Sequence, residues 1–255
     1  MLEQPFCDAH IHVGQFYDQY TQPTELKRFL DSVGIEFCIV SSTTVCEKRY
    51  ENVIEEIRDL QILYVYRLLP VLWIVPQMFN DGGLELFIDS GIQWRCLKIH
   101  PQLHPEAWLP EKEELGKVLS LANALEVPLL IHTGEKEGCY PSLYEKAFSE
   151  HPNVIFILAH GRPISETIQL MKKCSNVWAD TAFMPTEHIC RLCEEDLSDR
   201  VLWGTDYPIP KFYYPNENMV EYYAKLLDNL KKNVSQEDYK KITYINAFKL
   251  FKINK

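Results

Sequence analysis

The sequence lacks a long apolar run, since no stretch approaches the roughly 18 residues needed to cross a bilayer. It also begins without a basic segment followed by an apolar one, so no secretory leader is predicted. Lysine and arginine number 26 against 36 aspartates and glutamates, giving a formal net charge of -10. Nucleic-acid binding usually needs a basic surface. We therefore expect a cytoplasmic protein that binds neither membranes nor nucleic acid.

The eight cysteines lack the regular spacing of a disulfide framework, and we expect them to be reduced. Cys190 and Cys193 lie three residues apart beside His188. A structural zinc site would need a second pair of ligands at a suitable spacing, and none is evident. Two buried thiols on one helix face are the favoured interpretation.

No linker, low-complexity segment or block of like charge divides the 255 residues. Eight short apolar segments, each followed by a helical pattern, alternate along the chain instead. Such alternation predicts parallel strands joined by crossover helices, and eight units in this length suit a single α/β domain over residues 1–255, a (β/α)8 TIM barrel. An open doubly wound sheet is the alternative, but the glycine-rich phosphate loop expected after its first strand is absent.

The predicted strands are FCDAHIHV (6–13), IEFCIVSS (35–42), LPVLWIVP (69–76), RCLKIHP (95–101), VPLLIHTG (127–134), NVIFILAHG (153–161), NVWADTAF (176–183) and RVLWGTDYP (200–208). The predicted helices are 24–34, 50–60, 83–91, 111–126, 142–150, 164–174, 186–195 and a long C-terminal region ending at 251. In the first helix, Thr24 is the predicted N-cap and Gly34 the predicted stop.

Polar, proton-binding side chains lie near the end of five of these strands. In a parallel barrel, the carboxyl ends of the strands form the active site. The residues concerned are Asp8, His10, His12, Lys98, His100, His132, His160 and Asp206. A single histidine at a strand end is more often structural, but imidazoles and a carboxylate converging from several strands favour a divalent metal site.

The motifs DAHIH, KIHP, IHTG, AHGRP and GTDYP, in this order, resemble the amidohydrolase superfamily. Specifically, they are similar to its amidohydrolase-related branch, which includes aminocarboxymuconate semialdehyde decarboxylase, aromatic acid decarboxylases and lactone hydrolases. The resemblance implies metal ligation by His10, His12, His132 and Asp206. It implies that His160 is catalytic in a mononuclear enzyme, or a second-metal ligand in a binuclear one, and that Asp8 supports the ligands of the first strand.

Several residues have two interpretations each. Lys98 either forms a carboxylated bridge between two metals or, as favoured, pairs with an inner carboxylate or binds substrate. His100 either lines the pocket or begins the following loop. Arg162 either binds a substrate carboxylate or anchors the helix that follows Pro163. Tyr207, like Phe16, Tyr213 and Tyr214, either shapes the pocket or packs on the surface.

We therefore expect a hydrolase that uses a metal-activated water on a small ester, lactone or amide, with Asp206 and His160 as catalytic residues. One zinc is the expected cofactor, with manganese, iron or cobalt as alternatives. A non-oxidative decarboxylase or hydratase is the second hypothesis, although the segment after His12 is shorter than in the decarboxylases. A nuclease is disfavoured because Lys98 stands where those enzymes place glutamate, and a non-catalytic barrel because every expected ligand type is kept. A homodimer is expected as a possible assembly.

Overall fold

The structure, a computed structural model, describes residues 6–64, 67–103 and 113–253. Within these ranges one sheet contains nine strands in the order β2-β1-β3-β4-β5-β6-β7-β8-β9. The strands are β1 (Phe6–Phe16), β2 (Gln19–Thr21), β3 (Ile35–Ser42), β4 (Leu68–Trp73), β5 (Cys96–Ile99), β6 (Leu129–His132), β7 (Phe156–Ala159), β8 (Val177–Asp180) and β9 (Val201–Leu202). All neighbours pair in parallel except β1 and β2.

Helices follow the parallel strands, as the alternation predicts. They are α1 (Pro23–Val33), α2 (Tyr50–Leu63), α3 (Gly83–Asp89), α4 (Glu113–Leu125), α5 (Glu145–Glu150), α6 (Ile164–Lys173), α7 (Thr186–Glu194), α8 (Ile209–Tyr213), α9 (Met219–Asn233), α10 (Gln236–Lys240) and α11 (Asn246–Leu250), with a π-helical turn at Lys241–Ile245. Short 3₁₀ turns occur at Thr43–Glu47, Pro76–Phe79, Pro141–Tyr144 and Ser198–Arg200. No helix in the described ranges is long and apolar enough to span a membrane.

Each predicted strand segment contains an observed strand, and the prediction of a parallel sheet is confirmed. The hairpin strand β2 was not predicted. It arises because β1 continues past His12 and turns back on itself, pairing Gly14 with Thr21. Strand β2 contains only three residues and is too short and polar to show a strand pattern in the sequence.

The two ends of the parallel sheet are joined by backbone hydrogen bonds. Beyond β9 the chain runs beside β1: the Ala9 amide donates to Trp203 O (2.8 Å), the Asp206 amide to His10 O (2.7 Å) and the His12 amide to Tyr207 O (2.7 Å). We call this contact the seam. It brings the polar segment of β1 against the polar segment that follows β9.

The sheet has two differently composed faces because successive side chains of a strand alternate. One face packs against the helices in the main core, which includes Val40, Leu97 and Ile131. The other face forms a second apolar cluster that includes Ile39, Leu130 and the residues Cys7, Ala9, Leu69, Val71, Cys96, Ile157, Ala159, Trp178, Leu202, Ala247 and Phe251. Two residues further along several of these strands, the same face carries polar side chains, such as His132 two residues after Leu130. The second apolar cluster therefore lies directly beneath these polar side chains.

Two local predictions were wrong. Helix α1 begins at Pro23 with Gln22 as its N-cap instead of Thr24, because proline favours the first helical position, and no side chain caps the helix. Gly34 does end the helix, as predicted, and has a left-handed φ of 80°. All eight cysteines are free, but Cys190 and Cys193 are half-buried on α7 instead of fully buried.

Gly14 is required where β1 turns into the hairpin. Its φ is +91°, and a Cβ there would lie 2.3 Å from Thr44 Oγ1 and 2.7 Å from Glu56 Oε2. Glu56 is itself buried and accepts hydrogen bonds from Ser42 Oγ (2.5 Å) and Thr44 Oγ1 (2.8 Å). These groups have little room to move, because the two hydroxyls and the Glu56 carboxylate are hydrogen-bonded to one another.

We expect Gly14→Ala to lower the free energy of unfolding by about 3 kcal/mol, combining the cost of a left-handed alanine with that of overpacking. Gly91→Ala is the matched control: its φ is also positive (+74°), but nothing lies within 4 Å of the added Cβ. It should lose only about 1 kcal/mol. Urea unfolding of both variants measures the difference, and equal losses would contradict the packing explanation.

Candidate metal centre

Three buried side chains converge from the two sides of the seam. His10 and His12 project from β1, and Asp206 follows β9. Asp206 Oδ1 lies 3.2 Å from His10 Nε2 and 2.9 Å from His12 Nε2. His10, His12 and Asp206 are only 2%, 2% and 6% exposed. We call these three residues the triad.

The proton of the His10 ring is fixed by Asp180, at the end of β8. Its Oδ2 lies 2.9 Å from His10 Nδ1, and its Oδ1 accepts backbone N–H bonds from His160 and Ala182, both at 3.0 Å. An ionised carboxylate only accepts, so Nδ1 of neutral His10 carries the ring proton. His10 Nε2 therefore presents a lone pair to the triad.

The His12 ring is oriented in the same way by Ser41, at the end of β3. His12 Nδ1 lies 2.8 Å from Ser41 Oγ and 3.4 Å from the Ser41 carbonyl oxygen. A carbonyl only accepts, which favours the proton on Nδ1. His12 Nε2 then also presents a lone pair. The triad thus consists of three acceptor atoms, with Asp206 Oδ1 3.2 and 2.9 Å from the two imidazole nitrogens and no ring proton between them.

Lys98 supplies positive charge to this arrangement. Its Nζ lies 2.9 Å from His10 Nε2 and 3.1 Å from His12 Nε2, and 4.3 Å from the centre of the Trp73 ring. Burial lowers the pKa of Lys98 to about 8, opposed by the nearby carboxylates of Asp206 and Asp180. Lysine therefore remains mainly protonated at pH 7 and donates to both imidazoles.

The triad fits a divalent metal ion. Zinc binds imidazole nitrogen and carboxylate oxygen at about 2.0–2.2 Å, which places tetrahedral ligand atoms roughly 3.3–3.6 Å apart. The separations of 2.9 and 3.2 Å from Asp206 Oδ1 are close to this. His10, His12 and Asp206 form one group able to hold an ion, and His10, His160 and Asp180 form another. Burial also lowers the pKa values of His10 and His12 well below 6.5, which keeps them neutral for ligation.

His132 and His160 form a second pair of imidazoles beside the triad. His160 Nδ1 lies 3.0 Å from the Ala182 carbonyl oxygen, and its Nε2 lies 3.0 Å from His132 Nδ1. A neutral His160 donates from Nδ1 to the carbonyl, so its Nε2 accepts from His132 Nδ1–H. His132 Nε2 is then the unprotonated nitrogen of that ring. Burial lowers the pKa of His160 to about 4, so it is neutral at pH 7.

Two site residues have left-handed backbones. His160 has a φ of 69° and Asp206 a φ of 58°. Non-glycine residues avoid this region at a cost on the order of 1 kcal/mol or more, and such residues often occur at functional sites. In both, a strand segment turns abruptly, which directs the side chain inward to the site.

The other residues predicted for the site have different contacts. Asp8 accepts from the His10 amide (3.0 Å) and from Thr205 Oγ1 (2.6 Å), so it holds the backbone of the seam, whereas Asp180 and Ser41 contact the imidazole rings. His100 stacks on His132 with ring centres 3.7 Å apart. Its Nδ1 accepts backbone N–H bonds from the loop that follows, at Gln102 (3.3 Å) and Leu103 (3.0 Å).

Tyr207 does not reach the triad with its ring. The ring stacks on Phe29 of α1 at 3.7 Å, and its hydroxyl points to Glu25. Among the other aromatics, Phe16 contacts Phe212, and Tyr213 contacts Phe183, whose ring centre lies 6.0 Å from that of His160. Of these rings, Phe183 is therefore the one beside an imidazole of the site.

Asp180 and Ser41 were missed by sequence reasoning. Asp180 ends β8 and Ser41 is the penultimate residue of β3, where the sequences WAD and VSS show polar residues after an apolar segment. That position was the available signal, because the same rule identified His132 and His160. Which ring each residue would contact depends on the packing of distant strands and is not encoded locally.

A family model described as Amidohydrolase matches residues 7–253, and the chain belongs to this family. The resemblance found in the motifs is thereby confirmed. A comparison with proteins of curated function finds no match.

Solved structures share the fold at low sequence identity. An uncharacterized TIM-barrel protein from Bordetella bronchiseptica has a TM-score of 0.73 at 14% identity, covering 98% of this chain and 99% of its own. A probable 2-pyrone-4,6-dicarboxylic acid hydrolase from Acinetobacter baumannii, with citric acid bound, has 0.70 at 12%, covering 98% and 100%. A 2,6-dihydroxybenzoate decarboxylase from Rhizobium has 0.65 at 16%, covering 98% and 99%. These likenesses concern the fold.

We expect Asp180→Asn to weaken zinc binding about 10- to 100-fold, the usual effect of losing an acceptor behind a histidine ligand. The asparagine can keep its oxygen on the two backbone amides, which turns its NH₂ toward His10 Nδ1 and moves the ring proton to Nε2, where it blocks ligation. Competition with a chelator measures the affinity. Asp228→Asn, at an exposed carboxylate on α9 that pairs with Lys232, is the control and should leave zinc affinity unchanged. Unaltered affinity in Asp180→Asn would refute the assigned tautomer.

Proposed function

We propose that the chain is a metal-dependent hydrolase of a small ester, lactone or amide, built on a single (β/α)8 barrel domain. The observation that carries this proposal is the triad: Asp206 Oδ1 lies within 3.2 Å of both His10 Nε2 and His12 Nε2, and all three atoms are acceptors. Such a set is stabilised by a cation. We place the enzyme in the cytoplasm, consistent with its free cysteines, and expect one zinc, with manganese, iron or cobalt able to replace it.

His10, His12 and Asp206 would hold the ion, with His132 as the fourth ligand. His132 lies outside the two groups of converging ligand atoms, but the hydrogen-bond chain through His160 leaves its Nε2 unprotonated. Burial lowers its pKa well below 6.5 as well, which keeps the ring neutral. A bound divalent ion makes water more acidic and polarises a carbonyl beside it.

Asp206 would act as the general base. It accepts a proton from the attacking water, whose oxygen bonds to the carbonyl carbon of the substrate, and then returns that proton to the leaving oxygen or nitrogen. Asp206 lies beside the neutral rings of His10 and His12, and the seam hydrogen bond from its amide to His10 O fixes its backbone. This holds the carboxylate in position through both transfers.

His160 would act on the attacking water. Its Nδ1–H is tied to the Ala182 carbonyl, so Nε2 carries a lone pair, and once His132 moves to engage the ion this nitrogen would accept a hydrogen bond from that water and orient it. A buried imidazole that positions the water or shuttles its proton contributes to catalysis as an acid–base group. Lys98 adds positive charge on the triad side of His10, because its Nζ contacts both Nε2 atoms, and we expect it to stay uncarboxylated, with its charge balanced by Asp206 and Asp180.

A metal-defined screen tests the reaction. Protein loaded with zinc or manganese is offered lactones, esters, amides and aromatic acids, while both hydrolysis and carbon dioxide release are followed. Turnover of a lactone, ester or amide supports the proposal. Carbon dioxide release alone, or hydration of an unsaturated acid, would replace it by the decarboxylase or hydratase hypothesis.

We expect one zinc per chain in protein purified without chelator, by elemental analysis. Lys98→Ala should keep this stoichiometry, because an amine that merely neutralises the site is not needed to hold one ion. Two ions in the parent chain, with one lost in Lys98→Ala, would show that Lys98 forms a bridge between metals. Uptake of no metal on reconstitution would exclude the proposed function.

Asp206→Asn and His160→Asn separate the two catalytic roles. Asparagine at 206 keeps an oxygen ligand but loses the proton acceptor, so metal should be partly retained while turnover falls roughly 100-fold or more. His160→Asn should keep nearly full metal content and still slow turnover. Metal content and kcat are measured on the same samples. Loss of metal in His160→Asn would make His160 a ligand, and full turnover in Asp206→Asn would exclude it as the base.

A further inference from the structure

Arg162 carries a guanidinium for which the described residues provide no acceptor. Its Nε is fully buried and makes no hydrogen bond within ranges 6–64, 67–103 and 113–253. The other half-buried arginines there are satisfied: Arg200 donates to the carbonyls of Met171, Cys174 and Val177, and Arg95 donates to Phe251 O. An unpaired buried polar group is costly, and more so when it is charged.

The backbone of Arg162 is held firmly beside the site. It lies two residues after His160, and its amide donates to Thr133 Oγ1 (3.3 Å), just beyond His132. A Cβ added to Gly134 would lie 3.7 Å from Arg162 Nη2, so the guanidinium lies close over this glycine. Thr133 Oγ1 in turn donates to Ala159 O (2.6 Å). The side chain is thus positioned between the loops that follow β6 and β7, at the end of the sheet that carries the site.

The alternative interpretation, that the side chain anchors α6, finds no support in these contacts. The contact at the start of that helix is made by the main chain: the Thr167 amide donates to Pro163 O (3.0 Å). Among carboxylates near the helix, Glu166 accepts from the Ser142 amide instead. The guanidinium therefore retains its hydrogen-bonding capacity next to His160. Burial is the main cause of the lowered pKa of His160, and the charge of Arg162 lowers it further.

We infer that Arg162 binds a carboxylate of the substrate that is separate from the bond being cleaved. A planar guanidinium binds a carboxylate through two parallel N–H···O bonds, which fixes orientation as well as charge. With the carboxylate on Arg162, the reacting carbonyl lies toward His160 and the triad. This inference rests on the proposed function for the position of the reacting group, and it specifies the substrate as an anionic ester, lactone or amide.

Binding of simple diacids tests the inference without turnover. Succinate, glutarate and adipate are each compared with their monoamides by calorimetry on zinc-loaded protein, so that one carboxylate can occupy the metal centre and only the second group differs. We expect at least one diacid to bind tenfold or more tightly than its monoamide. In Arg162→Met this ratio should fall to within twofold, with monoamide affinity unchanged. Arg162→Lys keeps the positive charge but lacks the planar pair of N–H donors, and it should give an intermediate ratio.

Arg191→Met, at an exposed arginine on α7, is the control and should keep the ratio of the parent chain. If the parent chain itself shows no preference for any diacid, the inference is wrong, whether or not the Arg162 variants fold. A preference that survives in Arg162→Met would assign the second carboxylate to another cation and overturn the inference. If the screen finds no hydrolysis but the diacid preference still depends on Arg162, the proposed reaction is refuted and the anion site is kept.

Discussion

The convergence of three acceptor atoms, with Asp206 Oδ1 3.2 Å from His10 Nε2 and 2.9 Å from His12 Nε2, imposes the central constraint on this molecule. Such lone pairs repel one another, and burial removes the water that would otherwise separate them. The surrounding residues enforce this arrangement. Asp180 and Ser41 keep the ring protons of His10 and His12 on the far nitrogens, and the ammonium of Lys98 balances the charge. The fold has concentrated acceptors where a cation belongs.

Support for this arrangement comes from groups that each perform two tasks. Asp180 orients the His10 ring through one oxygen and, through the other, holds the backbone of His160 and Ala182. Asp8 binds the amides of His10 and Thr205, and burial raises its pKa to about 7. Loss of either carboxylate would therefore disturb backbone and side chains together. Many polar side chains can be packed together here because the second apolar cluster beneath them excludes water and fixes the strands.

The sequence allowed prediction of the parts that depend on local pattern. His132 and His160 close apolar segments, so their position at the strand ends followed from alternation and chain order. Three features could not be predicted. The contact of Asp180 with His10 joins residues 170 positions apart, the hairpin strand β2 lacks an apolar pattern, and the Tyr207 ring turns to Phe29 because α1 offers a flat partner. In each case the outcome depends on neighbours that only the folded chain supplies.

The seam has a consequence for how the protein is made. The triad draws His10 and His12 from the first strand and Asp206 from beyond the last, and the bond from Thr205 to Asp8 spans 197 positions. Contacts of such separation form only after a long loop is closed. While the segment beyond residue 200 is still being synthesised, a growing chain has the two imidazoles of the triad but lacks its carboxylate, Asp206. Completion of the triad must therefore be one of the last events of folding.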